Sequence, residues 1–120
     1  MSDERRSSER YVLWFPMRIE TEGDVILSIS RDISDGGVLV VAAAEPHIGA
    51  SVNVTLEIPG DEAGERTVKG KIVRVEANEA DEQGLWRHRV AVAFDEVIPE
   101  LDPILQSAER ISHVPGEPKD

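Results

Sequence analysis

Three arginines lie close together near the start of the chain. Arg5, Arg6 and Arg10 fall within six positions, and the last two have the spacing RxxxR. A guanidinium group presents a planar fork of N–H donors that matches phosphate oxygens, or the O6 and N7 acceptors of guanine, and its plane can stack on a base. The cluster predicts a site for a small anionic ligand; the alternative is that these side chains are solvated and keep a polar terminus soluble.

A second group of polar side chains occupies residues 32–37, Asp-Ile-Ser-Asp-Gly-Gly, and fits the pattern DxSxxG. The Asp32 carboxylate can accept hydrogen bonds from the amide edge of guanine, and the Ser34 hydroxyl can bond a base or a phosphate. Gly37 allows the backbone to come close to a ligand. The same residues also suit a hairpin turn in which Asp32 and Ser34 accept from backbone amides. Both interpretations stay open from the residues alone.

Residues that enzymes use for catalysis or metal binding do not form a recognisable arrangement in the sequence. The chain has no cysteine, which excludes disulfides, thiol chemistry and cysteine-based metal centres. His47, His88 and His113 lack a partner at a metal-ligand spacing. Acidic pairs such as those at 61–62 and 81–82 fall in predicted turns, and Ser7 and Ser8 lack a recognisable histidine and aspartate arrangement. We therefore expect neither a metal site nor an enzyme.

The charge and hydropathy of the chain limit its partners. A formal net charge of −11 argues against general binding to nucleic acid or to an anionic membrane, because these partners reward lysine and arginine. No apolar run is long enough to span a bilayer, and the N-terminus lacks the apolar region of a secretory signal. We therefore expect a cytoplasmic protein without membrane insertion.

Alternation of apolar and polar residues predicts six β-strands. Pro16 confines the first strand to a sheet edge or a bulge, and Gly70 is the expected bend of the fifth. In the second strand, one face carries Val25, Leu27, Ile29 and Arg31, and the other carries Ile26, Ser28, Ser30 and Asp32. The six predicted strands are residues 11–20, 24–33, 38–43, 51–58, 67–76 and 85–94.

The second and third strands are close enough in sequence to form a hairpin over residues 24–43. Its turn falls at residues 34–37, where Gly36 and Gly37 are expected to supply positive φ angles.

After the last strand, the apolar spacing changes to that of a helix over residues 99–111, with Asp102 predicted as the N-cap and Pro103 as the first helical residue. A short amphipathic helix would close one end of a small barrel. The predicted fold is all-β, a six-stranded antiparallel β-barrel with a C-terminal α-helix. The predicted boundaries are a flexible N-terminal arm at residues 1–10, the barrel and helix at 11–111, and a disordered tail at 112–120.

The two polar groups, taken in order and with their separation, resemble the PilZ domain family of cyclic di-GMP receptors. Arg10 and Asp32 stand at a separation comparable to that between the family's RxxxR and D/NxSxxG motifs. Residues 70–75 look like the family's late barrel strand and residues 89–94 look like the strand that follows, so the resemblance covers residues 5 to about 110. One departure is Ala91, where many relatives have glycine.

The resemblance implies a role for each motif residue. Arg6 and Arg10 would hold the phosphates and guanine faces of cyclic di-GMP, and Asp32, Ser34 and Gly37 would line the other side of the site. Arg31 is an additional candidate donor or a solvated side chain. Arg5 either faces water or adds the positive charge that a self-stacked pair of nucleotides would need.

These expectations combine into a receptor and adaptor that uses no cofactor. Cyclic di-GMP would order the N-terminal arm against the barrel, and the new surface would signal in trans to an unidentified effector protein. The alternative is a PilZ-like scaffold that acts through protein contacts without binding nucleotide. An enzyme acting on the dinucleotide would need a metal cluster or a nucleophile that the sequence does not contain.

Overall fold

The computed structural model of the chain describes residues 9–112. The predicted tail at 112–120, apart from Ser112, and most of the predicted arm, including Arg5 and Arg6, lie outside the described residues. Ser112 is the last residue of the C-terminal helix and not the first of a tail. A single turn of 3₁₀ helix stands at Glu79–Asp81, between the last two strands. The elements in chain order are β1 (Tyr11–Val12), β2 (Pro16–Thr21), β3 (Asp24–Ser34), β4 (Gly37–Ala42), β5 (Ser51–Leu56), β6 (Arg66–Ala77), β7 (His88–Phe94) and α1 (Leu101–Ser112).

The strands form a closed antiparallel barrel. The hydrogen-bonded order is β3, β2, β5, β6, β7 and β4, and β4 pairs again with β3 to complete the circle. β1 and β2 both pair with β3, so together they occupy one position in the barrel as a single interrupted strand. The prediction of a six-stranded antiparallel barrel followed by a helix is therefore confirmed.

The interruption between β1 and β2 is held together by the buried hydroxyl of Ser30. This hydroxyl donates to the carbonyl oxygen of Leu13 and accepts from the backbone N–H of Phe15 at 3.0 Å. The backbone N–H of Ser30 in turn donates to the Phe15 carbonyl at 3.0 Å. Pro16, which has no N–H to give to a ladder, begins β2 directly after this break. Pro16 predicts an irregular strand, and the strand is indeed interrupted immediately before Pro16.

The core is built almost entirely from aliphatic side chains on the inner faces of the strands. Val38 and Val40 of β4 point inward, as do Val90 and Val92 of β7. The helix contributes a single face at the spacing of successive turns, through Leu101, Leu105 and Ala108, all fully buried. The helix therefore covers the barrel as the amphipathic pattern predicts.

The inner face of β3 is the one that carries serines. Ser28 and Ser30 are buried, whereas Val25 and Leu27 on the alternate face are more than half exposed. The Ser28 hydroxyl donates to the carbonyl oxygen of Met17 at 3.3 Å, which satisfies it inside the barrel. This strand therefore turns its more apolar face outward.

A β-bulge in β3 corrects the predicted alternation. The register with β4 shifts between Ser30 and Asp32, and Ser30 and Ile33 are both buried. Arg31 and Asp32 are consequently the two residues between inward positions, and both are directed to the outer face. The prediction that Asp32 shares a face with Ile26 is wrong, because periodicity alone does not reveal an extra residue in the strand.

The glycines of the hairpin turn serve a different purpose from the one predicted. Among the described residues, positive φ angles occur at Gly23, Gly49, Gly60 and Gly64, and not at Gly36 or Gly37. A Cβ atom on Gly37 would lie 2.7 Å from the carbonyl oxygen of Val92, so this position needs glycine because β7 comes so close.

Gly70 has the same role on the other side of β7, since a Cβ there would lie 2.6 Å from the Ala93 carbonyl oxygen. The pairing register of β6 with β7 is regular at Gly70. The register of β6 with β7 shifts instead between Ile72 and Arg74, which makes Val73 the extra residue.

The start of α1 also differs from the prediction. The helix begins at Leu101, so Asp102 lies in its first turn and is not the N-cap. The carboxylate of Asp102 accepts the hydroxyl of Tyr11 at 2.9 Å. This bond joins β1 to the helix, and burial, followed by the hydrogen bond to Asp102, raises the pKa of Tyr11 to about 12.

Replacing Gly37 with alanine is expected to lower the free energy of unfolding by about 1–3 kcal/mol, because the new methyl group would overlap the backbone of β7. Gly36→Ala is the matched control, since the nearest atom to its Cβ is a side-chain oxygen at 3.9 Å. Chemical denaturation of the two variants measures the difference. Equal stability of the two would contradict the close approach of β4 and β7.

The single tyrosine of the chain allows its ionisation to be followed directly by ultraviolet absorbance. The native protein should ionise near pH 12, whereas the urea-unfolded chain should ionise near the ordinary value of about 10. Because the fold favours the neutral phenol, this contribution to stability is complete below pH 10 and is lost as the pH rises towards 12. Tyr11→Phe should lack that loss. A native midpoint near 10 would contradict the burial of the Tyr11 hydroxyl together with its bond to Asp102.

Candidate functional site

The two polar motifs meet where β1 pairs with β3. Tyr11 lies opposite Ile33 and Val12 lies opposite Asp32, so Arg10 arrives beside the end of the DxSxxG motif. Its Nε donates to Asp32 Oδ1 at 2.6 Å. Its Nη1 donates to the Ser34 hydroxyl oxygen at 3.4 Å. The fold thus brings together side chains that are 22 to 24 residues apart in sequence.

Ser34 and Asp32 differ in what they bond. The Ser34 hydroxyl is buried and accepts from the backbone N–H of Gly36 at 3.1 Å, as the turn interpretation predicts. Asp32 accepts instead from the guanidinium of Arg10. One motif residue therefore stabilises the turn while the other supplies a carboxylate at the surface.

The ion pair between Arg10 and Asp32 is accessible to solvent. Their side chains are 49% and 27% exposed, respectively. A pair in this environment contributes only about 0–1 kcal/mol, because water screens the attraction and can replace either partner. A bound anion can therefore compete with Asp32 for Arg10 at low cost.

An open cavity of about 370 Å³ lies beside this pair on the outer face of the barrel. The pairing registers give its floor as one row across four strands, running from Asp32 through Leu39 and Ala91 to Arg74. Ala91 has a small side chain, so it leaves space for the cavity at the middle of this row. The lining residues are Arg10, Asp32, Gly36, Gly37, Val38, Leu39, Val73, Arg74, Ala91, Val92 and Ala93.

Arg74 is a site residue that sequence reasoning missed. Regular alternation from the buried Ile72 would direct Arg74 into the barrel, but the extra residue Val73 turns it outward. Its Nε lies 3.5 Å from Glu76 Oε2 in an exposed ion pair. The cavity consequently has one arginine at each side, Arg10 and Arg74. Arg74 could have been identified as a cavity residue only if the bulge at Val73 had been known.

Arg31 lies elsewhere on the outer face. Its guanidinium carbon is 5.0 Å from the ring centroid of Trp14, within the range of a cation–π contact. It lines a separate hollow with Arg89 and residues 76–80. The Nε atoms of Arg31 and Arg89 are buried and have no hydrogen-bond partner within the described part of the chain.

The structure thus gathers some of the predicted site residues and not others. Arg10 contacts both Asp32 and Ser34, and Gly37 lines the cavity beside them. Arg5 and Arg6 precede the described residues.

Within residues 9–112, no three histidine, aspartate or glutamate side chains come together in a way that could hold a metal ion. The helices in this range are too short or too polar to cross a membrane.

Comparison with known structures identifies the same fold in other proteins. The chain matches the inhibitor of motility MotI/DgrA of Bacillus subtilis with a TM-score of 0.67 and 21% identity, covering 91% of this chain and 52% of that one. It therefore spans about half the length of that protein. The PilZ domain of YcgR from Escherichia coli, solved with c-di-GMP, matches with a TM-score of 0.65 and 16% identity over 91% and 95% of the two chains.

A third structure, the PilZ domain of CeSA from a cellulose-synthesizing bacterium, matches with a TM-score of 0.57 and 14% identity, covering 89% of this chain and all of that one. A comparison with curated protein sequences finds no match. The family model for the PilZ domain matches residues 4–108, which is most of the chain and includes both polar motifs. The protein is therefore a member of the PilZ domain family.

Proposed function

We propose that this protein is a receptor for cyclic di-GMP that binds the nucleotide in the outer cavity beside Arg10. The observation that carries the proposal is the contact of Arg10 with both Asp32 and Ser34 at the rim of that cavity. These residues occupy the positions of the two family motifs. The related PilZ domain of YcgR, whose structure contains c-di-GMP, supports this choice of ligand.

The chemistry of the site suits a guanine dinucleotide. When a phosphate displaces the Asp32 carboxylate from Arg10, the guanidinium can present its donor fork to the phosphate oxygens. The released carboxylate can then accept from the amide edge of a guanine. The ion pair of the free protein is thus replaced by two interactions with the same ligand, and neither charge is left without a partner.

Arg74 extends this site across the cavity. It is exposed and its ion pair with Glu76 is weak in the same way as that of Arg10. We assign it the distal part of the ligand, either the second phosphate or a guanine face. Arg5 and Arg6, which precede the described residues, are assigned to the near side together with Arg10.

Signalling follows from the position of the motif arginines ahead of the barrel. In this proposal, the nucleotide draws residues 1–10 against the outer face, and the resulting surface is recognised by a separate effector protein in the cytoplasm.

Arg10→Ala should weaken cyclic di-GMP binding by about 10–150-fold, the range expected for losing a charged hydrogen-bond donor worth about 1.5–3 kcal/mol. Its thermal stability should change little because the side chain is half exposed. Calorimetric titration measures the affinity, with GTP and cyclic GMP as competing nucleotides. Arg110→Ala, on the exposed surface of α1, is the matched control. A wild-type protein that binds no cyclic di-GMP would support the scaffold alternative.

Arg74→Ala should weaken the same titration by about 10-fold, because the residue contributes at one side of the cavity only. Arg87→Ala is the control, since Arg87 is an exposed arginine near β7 that does not line the cavity. If the two variants bind equally well, Arg74 has no part in the site.

Nucleotide binding should slow amide hydrogen exchange in residues 1–12 of the wild-type chain. The same measurement on Arg10→Ala at saturating nucleotide should give a smaller effect. Exchange that is identical with and without nucleotide would refute ordering of the arm.

A further inference from the structure

The outer face of β3 carries an apolar strip made of Val25, Leu27 and Ile29. Val25 is 58% exposed and Leu27 is 55% exposed, while Ile29 is half-buried next to the exposed Pro16 of β2. Single exposed aliphatic residues are common, but here they alternate with serines that point into the core. A barrel strand normally directs its apolar side chains into the core and its polar side chains to the solvent. β3 does the reverse here, and apolar residues exposed in this way are typical of a functional surface.

A groove of about 290 Å³ runs along this strip. Leu27 and Ile29 line it, together with Trp86 from the connection before β7. Thr55 and Glu57 lie at its far edge. The groove can therefore accept an aliphatic side chain from outside.

The two ends of the strip have opposite charge. The hairpin tip before β3 carries Glu20, Glu22 and Asp24 around Val25. The other end carries Arg31, which stacks on Trp14 and shares a hollow with Arg89, Glu76 and Glu79. None of the ion pairs within residues 9–112 involves Arg31. Arg18, beside Leu27, already pairs with carboxylates of its own chain.

A surface with an acidic end, an apolar centre and a basic end is complementary to a copy of itself turned by a two-fold rotation. With the axis through Leu27, Ile29 of one chain faces Val25 of the other. Arg31 then faces the tip between Glu22 and Asp24. The strip from Val25 to Arg31 is about 20 Å long at about 3.3 Å per residue. That length holds the contact of Ile29 with Val25 twice, the two Leu27 side chains between them and an ion pair at each end.

We propose that the protein forms a symmetric homodimer in which the apolar strips of two chains stack face to face in antiparallel orientation. Leu27 of each chain enters the groove of the other, and Arg31 of each chain pairs with the acidic tip of the other. The net charge of −11 on each chain opposes association over long distances. That repulsion is screened beyond about 8 Å at physiological salt, whereas the contacts within the interface are shorter. The same net charge disfavours an anionic bilayer as the occupant.

The dimer does not depend on nucleotide, so its test is separate from that of the ligand site. Sedimentation velocity of the full chain at physiological salt, over a range of concentrations, should show a monomer–dimer equilibrium. Leu27→Asp should be monomeric throughout. Ile48→Asp, which places the same charge on an exposed aliphatic residue outside the strip, should dimerise like the wild type.

A charge exchange tests the orientation and also controls for folding. Arg31→Glu alone and the double variant Glu22→Arg with Asp24→Arg should each associate at least 10-fold more weakly than the wild type. Mixed in equal amounts, they should form a heterodimer as stable as the wild-type dimer, because one ion pair keeps its original sign and the other is restored with reversed sign. A wild-type chain that stays monomeric, a Leu27→Asp variant that dimerises, or a mixture without a heterodimer would each overturn the proposal.

Discussion

The extra residue in β3 and the extra residue in β6 decide which side chains reach the outer face of the barrel. Each bulge places two consecutive residues between inward positions, so Asp32 in one strand and Arg74 in the other are turned outward. Between them, β4 and β7 remain regular and contribute the low floor of Leu39 and Ala91. Without either bulge, a charged side chain would be directed into an aliphatic core, where an unpaired charge is too costly to retain.

The glycines on either side of β7 make this arrangement sterically feasible. Gly37 of β4 and Gly70 of β6 both lie against the backbone of residues 92–93, at distances that a methyl group would not allow. The motif glycine is therefore explained by packing within the barrel, whatever contact it makes with a ligand. The motif combines two requirements, a turn at Ser34 and close packing at Gly37. This is possible because the strand that pairs tightly with β7 begins directly after that turn.

The six strand positions of the barrel and the helix that follows them could be predicted from sequence because apolar alternation and turn residues are local signals. The contact between Arg10 and the DxSxxG turn could be anticipated only through the family resemblance, since nothing local reports that β1 will pair with the end of β3. Arg74 and the outward direction of Asp32 could not be anticipated. Both depend on one extra residue in a paired strand, and the alternation of apolar and polar residues in the sequence does not reveal such a residue. The sequence also does not reveal that the serine face of β3 points inward. Ser28 and Ser30 can be buried only because backbone carbonyl groups of the neighbouring strand segment accept their hydroxyl hydrogens.

The bond between Tyr11 and Asp102 belongs to a wider set of links between the proposed ligand site and the helix. The backbone N–H groups of Phe94 and Ile98 donate to the carbonyls of Gly36 and Asp35 at 2.9 Å each, so the DxSxxG turn is tied to the segment that leads into α1. The residue next to Arg10 is tied to the first turn of the same helix. Free-energy coupling between two positions is reciprocal. If the proposed site holds nucleotide at Arg10 and binding shifts the helix, any ligand that binds the shifted helix more tightly raises the affinity for nucleotide by the same factor.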